Sequence, residues 1–310
     1  MKDILFSISI PAYKKRFLKD AISSCLAQTY KNFEIIILDD ASPEDLYSVV
    51  SEFNDERIRY YRNEVNCGAV DIVKNWNKCL EICKGQYLIC MGDDDCLCPE
   101  CLETYMSLIR SFPGLGLYHG WTEIIDENSK TIDIQDPRPI WESAWSLAWN
   151  RWKYRDRQYI GDFLFSVEEL RSRGGFFYLP CAWGADDISA ISAAISTGVA
   201  NTQKICFKYR DNNMSISRSS SNIMDKLAAI KMEREWFEDF IKIDTVDGND
   251  RVYRGMLQNN IKLHYEKKFG QNISDASRNV FEPLKYLCKR RSLGFSFKSI
   301  LYAMYLVAKR

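Results

Sequence analysis

Two continuous apolar runs, FEIIIL at residues 33–38 and YLICM at residues 87–91, constrain this chain more than any other feature of it. A run with no polar face predicts a strand covered on both sides, as in a parallel sheet flanked by helices. Ahead of them, DILFSISIPAY alternates Ile4, Phe6, Ile8 and Ile10 with Leu5, Ser7 and Ser9 until Pro11 stops the pattern, which predicts a first strand. Serines inside that stretch, and no small-residue cleavage site after it, argue against a secretory signal. From Arg16 to Gln28 the residues Phe17, Leu18, Ala21, Ile22, Cys25 and Leu26 recur at helical spacing. RIRYYRN reads as a third strand and residues 70–83 as a helix. Strand alternating with helix predicts an open, doubly wound α/β sheet, whose ligands bind beyond the carboxyl ends of the strands.

Both apolar runs end on acids, Asp39 and Asp40 in one case and Asp93, Asp94 and Asp95 in the other. The topology predicts that the two clusters share one crevice. Adjacent like charges repel and are costly to desolvate without a positive partner. Three readings of Asp93 to Asp95 remain open on composition alone. They form a solvated turn before the helix that Pro99 and Glu100 open. They form a Ca²⁺ loop, although the spaced ligands and closing Glu of such loops are missing. Or they form a Mg²⁺ or Mn²⁺ site that a phosphate ligand completes.

After residue 116 the pattern changes to a strand at LGLYHGWTEIID, a turn at ENSK and another short strand. Trp141, Trp145, Trp149 and Trp152 follow at steps of four, four and three, which predicts four indoles on one helix face, serving either core packing or a sugar platform. Beyond the Ser-rich stretch NNMSISRSSSN the chain reads as helical, so a boundary is placed near Ser221, between a catalytic unit (1–221) and a helical region (222–310). Residues 284–310 carry seven Lys or Arg and no acid, interleaved with Phe295, Phe297, Leu301, Tyr302, Tyr305 and Leu306. They read either as an interfacial helix on an anionic leaflet or as packing on the catalytic unit.

The chain has 310 residues, 46% of them hydrophobic, enough for one large domain with an appendage. Lys and Arg balance Asp and Glu at 42 each, so no basic field points to nucleic acid. Eleven cysteines, without paired C-x-x-C spacing and with only His119 and His264 as partners, read as reduced thiols of a cytosolic protein rather than a metal centre. No window approaches the roughly 18 apolar residues of a membrane span. The expectation is a cytoplasmic protein, with peripheral contact at the inner membrane face left open.

SISIPAYKKRFLKDAISSCLAQTYKNFEIIILDDASPED, RIRYYRNEVNCG and CLEICKGQYLICMGDDDCLCPECL, in this order and at this spacing, closely resemble family 2 of the inverting nucleotide-sugar glycosyltransferases. The resemblance is dense over residues 7–110, thinner to about 220 and absent beyond. It implies a GT-A fold with an acidic motif after the fourth strand that holds Mn²⁺ or Mg²⁺ against the donor diphosphate. Counting back from Pro99 places the metal contact on Asp94, with Asp95 beside it and Asp93 facing the ribose. Gly92 stands where the family often has Asp, so the motif is a shifted variant. Pro11 and Tyr13 fall at the nucleotide, Tyr13 against the uracil. Asp40 matches the acceptor of the base N3–H and Asp39 its neighbour. Asn77 falls on the family's asparagine, which puts Trp76 where a basic residue is common, with Lys74 either replacing that charge or simply solvated. RSRGGFFYLPCAWGADD resembles the Gly-Gly-Phe segment and the acidic pair opening a helix, with Asp187 as the base and Asp186 capping or orienting.

The resemblance thus implies metal-dependent, inverting transfer from a nucleotide diphosphate sugar, UDP-linked, to a hydroxyl of a glycan or lipid-linked acceptor in surface polysaccharide synthesis. Two alternatives stay open: a non-catalytic nucleotide-sugar-binding module, suggested by Trp76, and a nucleotidyltransferase, which would normally show a Gly-rich loop that PAYKKR lacks.

Overall fold

The computed structural model describes residues 4–153, 157–212 and 222–310. The amino-terminal half follows the expected alternation: β1 (Phe6–Ala12), α1 (Leu18–Leu26), β2 (Phe33–Asp39), α2 (Tyr47–Val50), β3 (Ile58–Arg62), α3 (Ile72–Ile82) and β4 (Tyr87–Cys90). Then come β5 (Cys96–Leu97), α4 (Cys101–Ser111), β6 (Leu117–Ile125), β7 (Thr131–Ile134), β8 (Trp141–Glu142) and α5 (Ala144–Lys153). The chain continues through β9 (Phe163–Ser166), α6 (Val167–Ser172), α7 (Ala185–Ala194) and β10 (Val199–Arg210) to the helices α8 (Ile223–Phe240), α9 (Gly248–Asp275), α10 (Arg290–Leu293) and α11 (Phe297–Ala308).

One ten-stranded sheet runs in the order β3-β2-β1-β4-β9-β6-β10-β5, with β7 beside β6 and β8 beside β10. Strands β3, β2, β1 and β4 are parallel, and β6 and β10 are parallel to one another. Between these blocks β9 runs antiparallel to both β4 and β6. All seven residues of β2 are buried: Ile35 to Leu38 are an apolar run, and Glu34 pairs with Arg59 and accepts from Ser7 Oγ at 2.7 Å. Ile8 pairs with Ile35 and Ile10 with Ile37, so the register brings Ala12 level with Asp39 and both strands end on one edge. Helices α1 and α4 cover one face of the sheet, packing Leu18, Ile22, Leu102 and Tyr105 on Ile8, Ile35 and Ile37.

The other face is covered by α3, α5 and α7, and the carboxyl-terminal helices join the same apolar cluster through Leu227, Ile230, Phe237, Tyr265, Phe269 and Ile300. The expected domain boundary near Ser221 lies outside the described residues, but residues on either side of it share this core. The tryptophans explain how. Trp141 is not on the helix with the others: it belongs to β8, whose pairing with β10 overrides the helical spacing, and it is 46% exposed. Trp145 on α5 stacks on Phe240 of α8, with centroids 4.1 Å apart, and Trp152 stacks at 4.1 Å on His264 of α9. Trp145 and Trp152 thus dock helices on one another, and Trp149 packs against the same core.

The packing sets a graded cost. Trp145→Ala is expected to lower unfolding free energy by about 3–5 kcal/mol in urea titration, and Trp141→Ala by much less. Equal losses would contradict this account of the stripe.

Candidate active site

The carboxyl ends of β1, β2 and β4 open into a cavity of about 890 Å³, lined among others by Pro11, Tyr13, Asp40, Asp93, Asp94, Asp95, Asp186 and Asp187. The two acidic clusters therefore meet, as the topology predicted, and the later acidic pair joins them.

The turn Asp93 to Asp95 is held by donors from two other strands. Asp93 accepts the backbone N–H groups of Tyr13 at 2.7 Å and Lys14 at 2.6 Å, which ties the end of β1 to the end of β4. Asp95 accepts the N–H of Arg210 at 2.9 Å and that of Gly92 at 3.3 Å. Asp94 accepts from Asn212 Nδ2 at 2.7 Å and lies 3.6 Å from Lys14 Nζ. The buried Arg210 guanidinium lies under the turn, donating from Nε to the Asp94 carbonyl at 2.8 Å and sitting 4.3 Å from the Phe17 ring. Burial first, and then the charge of Asp94, pushes the Asp93 carboxyl up to about 6 and the Asp95 carboxyl upward as well. At Gly92 a Cβ would come within 2.8 Å of Asp94 Oδ1 and 2.9 Å of Asp95 Oδ2, so the turn is built around glycine there.

Asp39 and Asp40, adjacent in sequence, do different work. Asp39 is fully buried and does not line the cavity; it accepts from Ser42 N at 2.8 Å and Tyr60 OH at 2.6 Å, and pairs with Arg62. This corrects the expectation that Asp39 belongs with the nucleotide contacts: its oxygens fix the loop after β2. Asp40 does line the cavity, accepting from Asn63 Nδ2 at 2.7 Å and Cys67 N at 3.0 Å, while Asn66 Nδ2 donates to its carbonyl at 2.8 Å. Tyr13 lines the same cavity, 45% exposed.

The acidic pair sits on a strained approach. Cys181 and Ala182 have φ of 58° and 51°, and Gly184, with φ of 92°, caps α7. No side chain caps this helix, so Asp186 does not play the capping role expected of it. Asp187 is buried: Arg151 Nε donates to its two oxygens at 2.8 and 3.0 Å, and Gln158 Nε2 donates at 2.8 Å. Burial raises the Asp187 carboxyl, but the charges of Arg151 and Lys268, with these hydrogen bonds, bring it below its usual range. Burial and the neighbouring Asp187 charge push Asp186 up to about 8. Two adjacent carboxyls thus differ sharply in proton affinity.

Trp76 is buried edge-on against Phe176, at 5.7 Å between centroids, and Asn77 Oδ1 accepts the Phe176 N–H at 2.8 Å. Gly175, with φ of 102°, leaves room for that amide: a Cβ would stand 2.3 Å from Asn77 Oδ1. Lys74 is solvated, paired with Asp71 at 2.6 Å, and does not line the cavity.

Residues 7–166 match the family described as Glycosyl transferase family 2, which is just over half of the chain. The chain belongs to this family. A beta-1,3-glucosyltransferase of Escherichia coli, WfgD, named as acting from UDP-Glc on alpha-D-GlcNAc-diphosphoundecaprenol, is 33% identical over 141 residues, 45% of this chain and 54% of that one. An uncharacterized glycosyltransferase of Rickettsia typhi is 29% identical over 136 residues, 43% of this chain and 41% of its own. The chain thus aligns with about half or less of the length of these relatives. Among solved structures, S. aureus TarS 1-349 in complex with UDP-GlcNAc superposes with a TM-score of 0.63 at 13% identity, covering 99% of this chain and 91% of that one. The mannosyltransferase PcManGT from Pyrobaculum calidifontis, in complex with GDP-Man and Mn2+, superposes with a TM-score of 0.58 at 12% identity, covering 98% of this chain and 86% of that one. At such identities the likeness is one of fold, the GT-A fold of glycosyl transferase family 2.

Several residues around this family 2 cavity carry no mark in a single sequence. Arg151 lies within the tryptophan stripe, Arg210 and Asn212 at the end of a late strand, and Lys268 on a helix beyond the family match.

Asp93→Asn keeps an acceptor oxygen and removes a buried charge. In chelator, it is expected to be more stable than wild type at pH 8 by on the order of 2 kcal/mol. A carboxyl raised in the folded state stabilises below its unfolded pKa and loses that stability as pH rises through about 6, so the gap closes on acidification. A gap constant from pH 4 to 8 refutes the assignment.

Proposed function

We propose that the protein transfers a sugar, with inversion, from a UDP-linked donor to a hydroxyl of a glycan or lipid-linked acceptor, in surface polysaccharide synthesis. The observation that carries this reading is a single cavity holding an acidic turn at the end of β4 and a second, differently titrating carboxyl pair at the start of α7. It is supported by WfgD, named for a UDP-Glc donor and a diphosphoundecaprenol-linked acceptor, and by TarS, solved with UDP-GlcNAc.

Asp40 supplies the acceptor that a uracil N3–H needs, and Tyr13 an aromatic face for the base. The turn fits a hard divalent ion of the Mn²⁺ or Mg²⁺ kind, which takes one or two carboxylates and completes its shell with phosphate and water. Among the described residues no group of three or more His, Cys, Asp or Glu side chains is placed to hold an ion, so the reading leaves part of the shell to the donor phosphates. Asp94 would hold the ion, since Asp95 already accepts two backbone N–H groups. When bound, such an ion supplies positive charge to the departing diphosphate.

Lys14 adds positive charge at the same turn. The acceptor oxygen attacks C1 as the bond from C1 to the diphosphate oxygen breaks, and that electron pair leaves with the diphosphate. The hydroxyl proton passes to the Asp186–Asp187 pair. By motif Asp187 is the base; by geometry it is clamped by Arg151 and Gln158, and Asp186 has the higher proton affinity. The pair therefore acts as one acceptor. Trp76, the reason for a non-catalytic reading, has a packing explanation in Phe176.

Within the segment 284–310, α11 has one packed face and one outward face. Ser299, Ile300 and Ala303 of α11 are buried, while Phe297, Leu301 and Tyr305, at 45, 49 and 51% exposure, form an outward stripe beside Lys298 and Lys309. This stripe suits peripheral contact with an anionic leaflet, where a lipid-linked acceptor resides. Among the described residues no helix is long and apolar enough to cross a membrane.

Asp94→Asn should sharply weaken Mn²⁺-dependent UDP binding in calorimetry and leave the fold intact; undiminished metal-dependent binding removes Asp94 from the site. Asp186→Asn should retain UDP-sugar affinity and lower transfer by about 10²- to 10⁴-fold. Asp187→Asn should do the same with an added stability loss, because it removes the charge facing Arg151. Full activity of both variants would place the base elsewhere. The double variant Leu301→Gln, Tyr305→Gln should sediment less with phosphatidylglycerol vesicles than wild type; an unchanged pellet rules out this surface.

A further inference from the structure

The helices beyond residue 222 lie outside the family match, yet they reach the catalytic cavity. Lys268 of α9 lines it together with Arg151, Asp186 and Asp187. Lys268 Nζ donates to the two carboxylate oxygens of Glu233 on α8, at 2.8 and 2.6 Å, and Glu233 is 1% exposed. Tyr265 OH donates to the same carboxylate at 3.3 Å. Above it lies Gly184, where a Cβ would come within 2.9 Å of Glu233 Oε2. An ion pair from two helices is thus stacked against the turn that opens α7 and presents Asp186 and Asp187.

A buried ion pair is a poor stabiliser, because desolvation offsets its attraction and apolar residues of similar volume often do better. Here Phe237, Tyr265 and Phe269 belong to the surrounding core, so an apolar pair in place of Glu233 and Lys268 would extend it. We propose that Glu233 and Lys268 are positioning residues for transfer, Glu233 seating both Lys268 and the Gly184 turn, and Lys268 supplying a fixed charge beside the carboxyl pair. The role assigned to the pair rests on the transferase reading given above.

The groups facing the pair are Arg151 from α5, Gln158 and Asp162 from the segment before β9, Glu233 from α8, and Tyr265 and Lys268 from α9. Arg151 and Lys268 favour the anion on Asp187, whereas Asp162 and Asp187 disfavour one on Asp186. Removing Lys268 takes away a positive charge and must raise the titration of the pair. Removing the charge of Glu233 must lower it. A role confined to packing does not give opposite signs.

The test uses the full chain and its variants Lys268→Met, Glu233→Gln and Lys268→Arg. Aspartate carboxyl titration by ¹³C NMR, with Asp186→Asn and Asp187→Asn for assignment, needs no substrate. UDP release from UDP-glucose and UDP-GlcNAc with Mn²⁺ gives the pH–rate profile. The expected result is an upward shift of roughly one unit in Lys268→Met, in both the titration and the acid limb of kcat. Glu233→Gln should shift both downward, and Lys268→Arg should restore the wild-type limb, with KM for donor little changed throughout. Shifts of one sign in both variants, or none, overturn the inference. Should Lys268→Met fail to fold, the sign in Glu233→Gln decides. Opposite shifts in a protein that binds none of the nucleotide sugars overturn the transferase reading and leave the charge assignment standing; turnover without shifts overturns the inference alone.

Discussion

The two N–H groups that Tyr13 and Lys14 donate to Asp93 join the end of β1 to the end of β4, and the site depends on that junction. A carboxylate buried beside two others needs donors more than it needs a neighbouring apolar surface. The chain supplies them from backbone that has just left the sheet, where N–H groups are no longer spent on a neighbouring strand. Arg210 repeats the arrangement from β10, giving its backbone N–H to Asp95 and its Nε to the Asp94 carbonyl. The positive partner that three adjacent acids require is thus partly internal. Asp93 and Asp95 are committed to holding strand ends, and Asp94 accepts from Asn212 and lies near Lys14.

The opposite wall solves a similar problem differently. Asp186 and Asp187 are also adjacent acids, but Asp187 is matched by side-chain cations instead of backbone donors. A cation matched to one member stabilises its anion and leaves the other to bear the repulsion, so their proton affinities separate. Asp93 and Asp95 at the acidic turn are both pushed upward, whereas Asp186 and Asp187 at α7 are pushed apart. The first pattern leaves the turn short of positive charge, and the second leaves one carboxyl of the pair with the higher proton affinity.

The sheet was legible because burial on both faces leaves an apolar run, Ile35 to Leu38 in β2 and Tyr87 to Cys90 in β4. Asp40 and Asp93 to Asp95 follow the ends of β2 and β4 and line the cavity, as does Pro11, although β1 continues past it to Ala12. Asp39 was misplaced because adjacent carboxylates look alike in sequence, while a strand end points one toward Tyr60 and Arg62 and the other toward the cavity. Trp141 was misplaced because helical spacing was counted across a residue that pairs instead with β10. Arg151 and Lys268 were illegible for a further reason. Each has a basic neighbour on its own helix, Lys153 beside Arg151 and Lys267 beside Lys268, and only long-range packing decides which one turns inward.

That packing links the tryptophans to the chemistry. Trp145 and Trp152 stack on Phe240 and His264, fixing α5 against α8 and α9. Helix α5 carries Arg151, α8 carries Glu233 and α9 carries Lys268, so one aromatic contact zone sets the relative positions of three charges around Asp187. Electrostatic control of a buried carboxyl is steep in distance, and side chains on loops would blur it. Rigid stacking between large flat rings restrains sliding of the helices more than aliphatic contacts of the same area, because offset geometry is specific. The indole stripe, which does not line the cavity, is in this sense the frame that holds Arg151, Glu233 and Lys268 in register around Asp187.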